Sequence, residues 1–289
     1  MSSSFLSECK QKVLNRIESL LTQQDPVTSS MRYSALADSK CIRAGLVFAS
    51  GKLEKQMDEA VLIDVATSIE LMHTYSLIHD DLPAMDDDGM RRGKASNHIK
   101  FNEATAILAG DALQALAFET IASSKGMTDK HKVDAVRTLA EACGHEGMVL
   151  GQQYDLDGEK NASLDIELIH SLKTAKLIQV ALTMPYLGNE IYNKTRVVLN
   201  EIGGKIGLAF QIMDDVLEVS SDSVTLGKSN LSDITNKKMT YVSIYGLEGS
   251  IHKAEALSNF CIKKIQENFA LNETNELIEL MNLMVSRSN

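Results

Sequence analysis

Asp80-Asp81-Leu82-Pro83-Ala84-Met85-Asp86 closes a long apolar run, and the period of that run decides the fold. On a 3.6-residue repeat His73, Leu77, Asp80 and Asp81 share one face, while Val65, Ile69 and Met72 spread onto the adjoining apolar side. The spacing predicts a helix over 58–81. Pro83 ends it, which lets Asp86 fold back toward Asp80. The same signals predict helices over about 5–23, 30–50, 102–124, 128–155, 165–187, 192–220 and 236–269, with a short one near the C-terminus. Three prolines, no tryptophan and long runs of Ala, Leu, Ile, Glu and Lys leave little to suggest strands. No repeat and no Pro/Gly/Ser linker divides the chain. An all-α single domain over 1–289 is expected, a helical bundle around a central cavity with the acidic residues at its mouth.

A second acidic cluster, Asp214-Asp215-Val216-Leu217-Glu218, lies far downstream. Gln211, Asp214, Asp215 and Glu218 recur at helical spacing and form one polar face on an otherwise apolar helix. Carboxylates this close repel one another and stay ionised in a half-buried site only with cations between them. Oxygen ligands alone suit Mg2+, which is usually held by a few carboxylates, waters and substrate phosphates. Asp80, Asp81, Asp86, Asp214, Asp215 and Glu218 are therefore candidate metal ligands, and the substrate is expected to be phosphorylated. Arg91-Arg92-Gly93 follows the first cluster, and Lys228 and Lys238 follow the second. Such cations can grip the diphosphate oxygens that metals leave uncovered.

The net charge of −10, without a basic stripe interleaved with aromatics, argues against a nucleic-acid surface. The start, Met1-Ser2-Ser3-Ser4-Phe5-Leu6, lacks a basic segment before an apolar core, and no later run reads as long and uncharged enough to span a bilayer. A cytoplasmic protein is expected. Cys9, Cys41, Cys143 and Cys261 have no metal-ligand spacing and read as reduced structural thiols. His98, His131, His145, His170 and His252 read as structural or exposed. Asp111, in an apolar helix, is expected to satisfy a buried hydrogen bond. Gly203, Gly204 and Gly207 are expected to permit close helix packing.

The stretch His73-Thr74-Tyr75-Ser76-Leu77-Ile78-His79-Asp80-Asp81-Leu82-Pro83-Ala84-Met85-Asp86-Asp87-Asp88, with Arg91-Arg92-Gly93, resembles the first aspartate-rich motif of bacterial short-chain polyprenyl diphosphate synthases. Phe210-Gln211-Ile212-Met213-Asp214-Asp215 with Leu226-Gly227-Lys228 resembles the second. The likeness runs from about 33 to 241, and the farnesyl diphosphate synthases are the subgroup it resembles most. It implies the isoprenoid synthase fold, a homodimer, Mg2+, and head-to-tail condensation of isopentenyl diphosphate with dimethylallyl and then geranyl diphosphate. It places Asp80, Asp81, Asp86, Asp214 and Asp215 on the metals of the allylic diphosphate, with Arg91, Lys173, Lys228 and Lys238 on that diphosphate itself. Lys40, Arg43, His73 and Arg92 match the isopentenyl site. Thr174, Gln211 and the Lys173 carbonyl match the groups that stabilise the allylic cation, and Asp155, with Gln152 in the same segment, matches the support of Lys173. Tyr75 and Ser76 match the positions that set product length.

The chain departs from the pattern in places. Asp38-Ser39-Lys40 stands where the family usually has Gly-Gly-Lys, so a carboxylate at Asp38 is expected to repel isopentenyl diphosphate if it points inward. The second motif ends in Glu218 rather than Asp. Rival readings are a geranylgeranyl diphosphate synthase, an HD-type metal phosphohydrolase suggested by His79-Asp80 with His73, and a non-catalytic synthase-like subunit.

Overall fold

The computed structural model describes residues 2–53, 57–158, 165–188, 192–225 and 240–286. Helices dominate: α1 (Ser2–Leu20), α2 (Pro26–Ala35), α3 (Ile42–Ser50), α4 (Glu59–Asp80), α5 (Asn97–Lys100), α6 (Glu103–Ala122), α7 (Asp129–Cys143) and α8 (Met148–Gly158) come first. Then follow α9 (Ile166–His170), a π-helical turn (Ser171–Ala175), α10 (Lys176–Thr183), α11 (Tyr192–Thr225), α12 (Tyr241–Tyr245), α13 (Leu247–Asn268) and α14 (Asn275–Val285). Among the described residues the strands are β1 (Met90–Arg91) and β2 (Lys94–Ala95), an antiparallel hairpin. The expected helix over 30–50 is two helices, because Cys41 turns left-handed (φ 47°) at the start of α3, a conformation through which a right-handed helix does not continue. The expected helix over 128–155 breaks at Gly144-His145-Glu146-Gly147.

The chain forms two compact units: Met1–Thr138 with Ala181–Tyr192, and Leu139–Val180 with Asn193–Asn289. In the first, α4 is the axis. Asp58 caps its N-terminus by accepting from the Ala60 N–H, and the helix packs chiefly on α6, α3 and α1. Its residues are buried nearly all round, Val65, Ala66, Ile69, Leu71 and Met72 completely so. Several polar ones bring partners with them: Asp64 accepts from Arg16 Nε of α1 at 3.0 Å, the Ser68 hydroxyl donates to the Ala117 carbonyl at 2.7 Å and that of Thr74 to the Glu70 carbonyl at 2.7 Å. Both α4 and α6 are long and apolar enough to cross a membrane by length and composition, contrary to the sequence expectation. In α4, 78% of the apolar window is buried inside the protein, so its apolarity is used in packing.

In the second unit α11 lies close to the segment that precedes it. A Cβ on Gly207 would fall 2.6 Å from Ala175 Cα and one on Gly203 2.8 Å from Gln179 Cα, which bears out the expected close packing at both positions. Gly151 does the same for α8, since a Cβ there would sit 2.3 Å from the Lys173 backbone nitrogen. The cysteines are free and buried, and burial pushes the thiols of Cys9, Cys41 and Cys261 up to about 12, as structural thiols require.

Gly151→Ala must displace backbone rather than a flexible side chain, and we expect it to cost about 2 kcal/mol or more. Gly89→Ala, which meets nothing within 4 Å, should change stability by less than about 0.5 kcal/mol. Urea unfolding of the two variants side by side checks the difference.

Candidate active site

The first acidic cluster is built from the end of α4. Asp81 terminates the helix and is 2% exposed. Such burial needs a donor, and Arg91 supplies it: Nε donates to Asp81 Oδ1 at 2.9 Å, while Nη2 bonds both Asp81 and, at 3.0 Å, Asp88 Oδ2. The loop after Pro83 folds back as the proline predicts, with the Asp86 N–H donating to the Asp80 carbonyl at 2.9 Å. Arg91 pairs with Lys94 across the β1–β2 hairpin, so Arg92 and Gly93 form its two-residue turn with φ of 53° and 72°. Positive φ at both positions is the signature of the tight hairpin turns that match strand twist. That Arg, Arg, Gly sequence therefore has a structural reason as well as a charge: one arginine braces Asp81 and the next takes the left-handed corner.

Lys40, Arg43 and His73 belong to the same unit. Cys41 offers no side-chain cap to α3, and Glu70 of α4 serves instead, its Oε1 accepting from the Ala44 N–H at 2.9 Å. Glu70 is 6% exposed, and burial raises its pKa against the pull of that hydrogen bond and of Arg43 and Arg92. Burial, then the charges of Arg43, Arg92 and Arg91, pushes His73 well below the usual histidine pKa, so it stands neutral. Asp38 corrects an expectation: its carboxylate is 90% exposed and ion-paired with Lys10 of α1, which holds its pKa low. The repulsion foreseen for an inward carboxylate is not what this geometry provides.

Tyr75 is 6% exposed on α4, five residues before Asp80. Its ring meets that of His79 edge-on, with centroids 5.5 Å apart. His79 in turn lies where a Cβ of Gly110 would be, 2.1 Å from its Nε2, and that nitrogen is 3.1 Å from the Ile107 carbonyl. Gly110, His79 and Tyr75 thus form one stack from α6 to α4. Asp111 beside it is exposed, 3.9 Å from His79, and does not make the buried hydrogen bond expected of it.

In the second unit Lys173 and Thr174 sit in the π-helical turn, an irregularity that recurs at functional sites because it re-aims side chains. Lys173 Nζ donates to Asp155 Oδ2 at 2.7 Å, and the Thr174 hydroxyl donates to Gln211 Oε1 at 2.8 Å. Both amide atoms of Gln152 are buried without a hydrogen-bond partner among the described residues. Asp215 is 5% exposed and accepts from the Tyr241 N–H at 2.7 Å, while Asp214 is half-buried and Glu218 exposed. Lys228 and Lys238 lie outside the described residues. Sequence reasoning missed Glu70, His170 and Tyr241. A charge within Ile69-Glu70-Leu71-Met72 was the available signal for the first.

Comparison with known proteins gives a consistent result. The family model for polyprenyl synthetase matches residues 24–281. The farnesyl diphosphate synthase of Haemophilus influenzae is 40% identical over 276 residues, 90% of this chain and 92% of that protein. The Escherichia coli farnesyl diphosphate synthase is 42% identical, covering 87% of this chain and 86% of its own. The chain belongs to the polyprenyl synthetase family. A crystal structure of a geranyltransferase from Legionella pneumophila superposes with a TM-score of 0.88 at 32% identity, covering 100% of this chain and 98% of that one. The all-α architecture is accordingly that of a polyprenyl synthetase.

The donor set fits the metal such a synthetase implies. Among the described residues no three His, Cys, Asp or Glu side chains gather into a preformed cage. Mg2+ does not ask for one, since it usually keeps waters and takes one or two carboxylates together with substrate phosphates. Asp80 and Asp86, joined by the folded-back loop, offer only oxygen.

Because His73 is held neutral in the folded polyprenyl synthetase, its contribution to stability is fully present above the unfolded value of 6.5 and is lost as pH falls toward the depressed folded value. His73→Asn should flatten the loss of urea midpoint on going from about pH 7.5 to about pH 5.5. An unchanged slope would show that His73 titrates normally.

Proposed function

We propose that this chain is a Mg2+-dependent prenyltransferase that condenses isopentenyl diphosphate with dimethylallyl and then geranyl diphosphate to make farnesyl diphosphate. The observation that carries this reading is the π-helical turn, which sets Lys173 on Asp155 and Thr174 on Gln211 at 2.7 and 2.8 Å, in a chain whose α4 ends in a folded-back acidic loop. Asp80 and Asp86 at the end of α4, and Asp214 and Glu218 on α11, would hold Mg2+ ions, with Asp81 and Asp215 completing the two clusters. Bound there, Mg2+ neutralises charge on the oxygens of the departing diphosphate. Arg91, Lys173, Lys228 and Lys238 share that diphosphate. Lys40, Arg43, Arg92 and neutral His73 hold isopentenyl diphosphate without metal.

The chemistry follows from that division. The allylic C–O bond breaks with its electron pair on the diphosphate, and oxygens of Thr174, Gln211 and the Lys173 carbonyl face the cation left behind. The isopentenyl double bond supplies the electrons of the new C–C bond, and the released diphosphate removes the final proton. The chain acts as one domain, in the cytoplasm, paired with a second copy. Support for pairing comes from α6, which leaves Ile107 and Leu108 43% and 54% exposed. Incubating the purified protein with Mg2+ and both labelled diphosphates tests the reading. Farnesol is expected after dephosphorylation. Phosphate release without elongation would indicate a phosphohydrolase, and no turnover a non-catalytic subunit.

Product length follows from α4. Tyr75 stands about 7.5 Å up the helix from Asp80 at a rise of about 1.5 Å per residue, beside small Ser76, and acts as the floor beneath the growing tail. Tyr75→Ala removes that ring and leaves His79 without its aromatic neighbour. We expect the product to shift from farnesyl to geranylgeranyl diphosphate or longer, with a stability cost of about 3 kcal/mol from the void. Chromatography of the dephosphorylated products decides it, and an active variant that still stops at farnesol would place the floor elsewhere.

A further inference from the structure

Asp215 stands by sequence in the second acidic cluster, yet its carboxylate is enclosed within its own unit, 5% exposed. Oδ2 accepts from the Tyr241 backbone N–H at 2.7 Å and lies 3.3 Å from His170 Nε2. Oδ1 accepts from Gln211 Nε2 at 3.4 Å. Two donors, the Tyr241 N–H and the Gln211 NH2, and the His170 ring nitrogen thus face a group with about four lone-pair sites. One of the donors is fixed. A backbone N–H can only donate, and Tyr241 is anchored by its hydroxyl, which donates to Glu167 Oε1 at 3.0 Å, and by its ring, stacked on His170 with centroids 6.5 Å apart.

The two ends of the Gln211 amide are chemically opposite, so what Asp215 does at one end governs the other. An ionised carboxylate only accepts, so it takes the NH2 end. Oε1 must then turn to Thr174, and a carbonyl oxygen only accepts. The Thr174 hydroxyl is therefore obliged to donate to Gln211, at 2.8 Å, and its lone pairs are directed away from that bond. With the amide reversed, Thr174 would accept from NH2 and its own proton would be free to face the substrate. A cation next to that site is stabilised by lone pairs and opposed by an O–H dipole pointing at it.

We propose that Asp215 is a positioning residue rather than a metal ligand. It sets the polarity of the chain Asp215, Gln211, Thr174 so that oxygen lone pairs face the developing allylic cation. This rests on the prenyl-transfer reading above. Asp214 and Glu218, on the same helix, remain the metal candidates of this cluster.

The test compares Asp215→Asn with Asp214→Asn in the full-length protein. Asparagine can offer its own NH2 to Gln211 Oε1, so the amides can turn and Thr174 loses its imposed role. Asp215→Asn should lower kcat about tenfold or more while leaving the Mg2+ concentration for half-maximal rate unmoved. Asp214→Asn should raise that concentration. In a Thr174→Val background, where the hydroxyl is already gone, adding Asp215→Asn should cost little more. If Asp215→Asn raises the Mg2+ requirement as Asp214→Asn does, or if its cost multiplies with that of Thr174→Val, the inference is overturned. Should the asparagine variant not fold, Asp215→Glu carries the same comparison, because its added methylene displaces the Gln211 amide: kcat falls and the Mg2+ requirement stays. A parent protein with no prenyl transfer at all overturns both this inference and the reading beneath it, whereas an active parent with additive variants overturns this inference alone.

Discussion

A carboxylate carried into a helical core needs a donor, and in this chain that requirement shapes the neighbourhood of each buried acid. Asp64 takes Arg16, Glu70 takes the N-terminal N–H of α3, Asp81 takes Arg91, and Asp215 takes the Tyr241 N–H, as half-buried Asp155 takes Lys173. Each pairing crosses from one element to another. Glu70 fixes where Arg43 starts, because Ala44 is the next residue of α3. Asp81 fixes the hairpin through Arg91 and so the corner at Arg92. Leaving any of these acids without its donor would cost more than the pair contributes, since an unpaired buried charge is strongly destabilising. Placement of charge at the candidate site and satisfaction of charge in the core are here the same set of bonds.

Local strain concentrates at the same places. The non-glycine residues with positive φ among those described are Cys41, Asp87 and Arg92, all in the loops that flank the first acidic cluster or open α3. A left-handed residue of this kind costs about 1–2 kcal/mol, so the surrounding bonds must hold it. For Arg92 the holder is the hairpin, whose register fixes both corner residues. The π-helical turn is the counterpart in the second unit, and Gly151 and Gly207 let α8 and α11 approach it closely.

Periodicity made most of the helices legible, because α4, α6 and α11 are long and their apolar residues dominate. What it could not reveal were the interruptions. The breaks between α2 and α3 and between α7 and α8 come from single left-handed or glycine-containing turns, which a 3.6-residue average passes over. The hairpin is two residues per strand and leaves no alternation to read. The acidic residues and Gln211 were legible from helical spacing, and Lys173, Thr174 and the support of Lys173 by Asp155 only through the family resemblance, whereas the bonds of Asp81 to Arg91, Glu70 to Ala44 and Asp215 to Tyr241 were not foreseen. Tyr241 acts through its backbone N–H, which every residue has, and Gly110 acts through an absence that His79 fills. Asp111 shows the opposite error: its apolar sequence neighbours suggested burial, but it lies on the outer side of α6.

Asp38 shows how a departure in sequence can be neutralised in structure. Where the resemblance implies glycine, this chain places a carboxylate one residue from Ser39 and two from Lys40, beside cations that by resemblance receive a diphosphate. An unpaired acid there would compete for those cations. Lys10 of α1 pairs with it instead and holds it ionised, so the negative charge at Asp38 comes with its own counter-ion from outside the motif. Ser39 also has a partner, its hydroxyl lying 3.1 Å from the Cys41 sulfur at the left-handed start of α3. The altered residues are thus coupled to α1 and to each other, and Lys40 and Arg43 keep their places at the exposed end of the loop and in the first turn of the helix. Exchanging Asp38 alone for glycine would leave Lys10 without its acid and raise the local charge by one. The Lys10–Asp38 pair thus leaves the loop before Arg43 with its negative charge already matched by a counter-ion from α1.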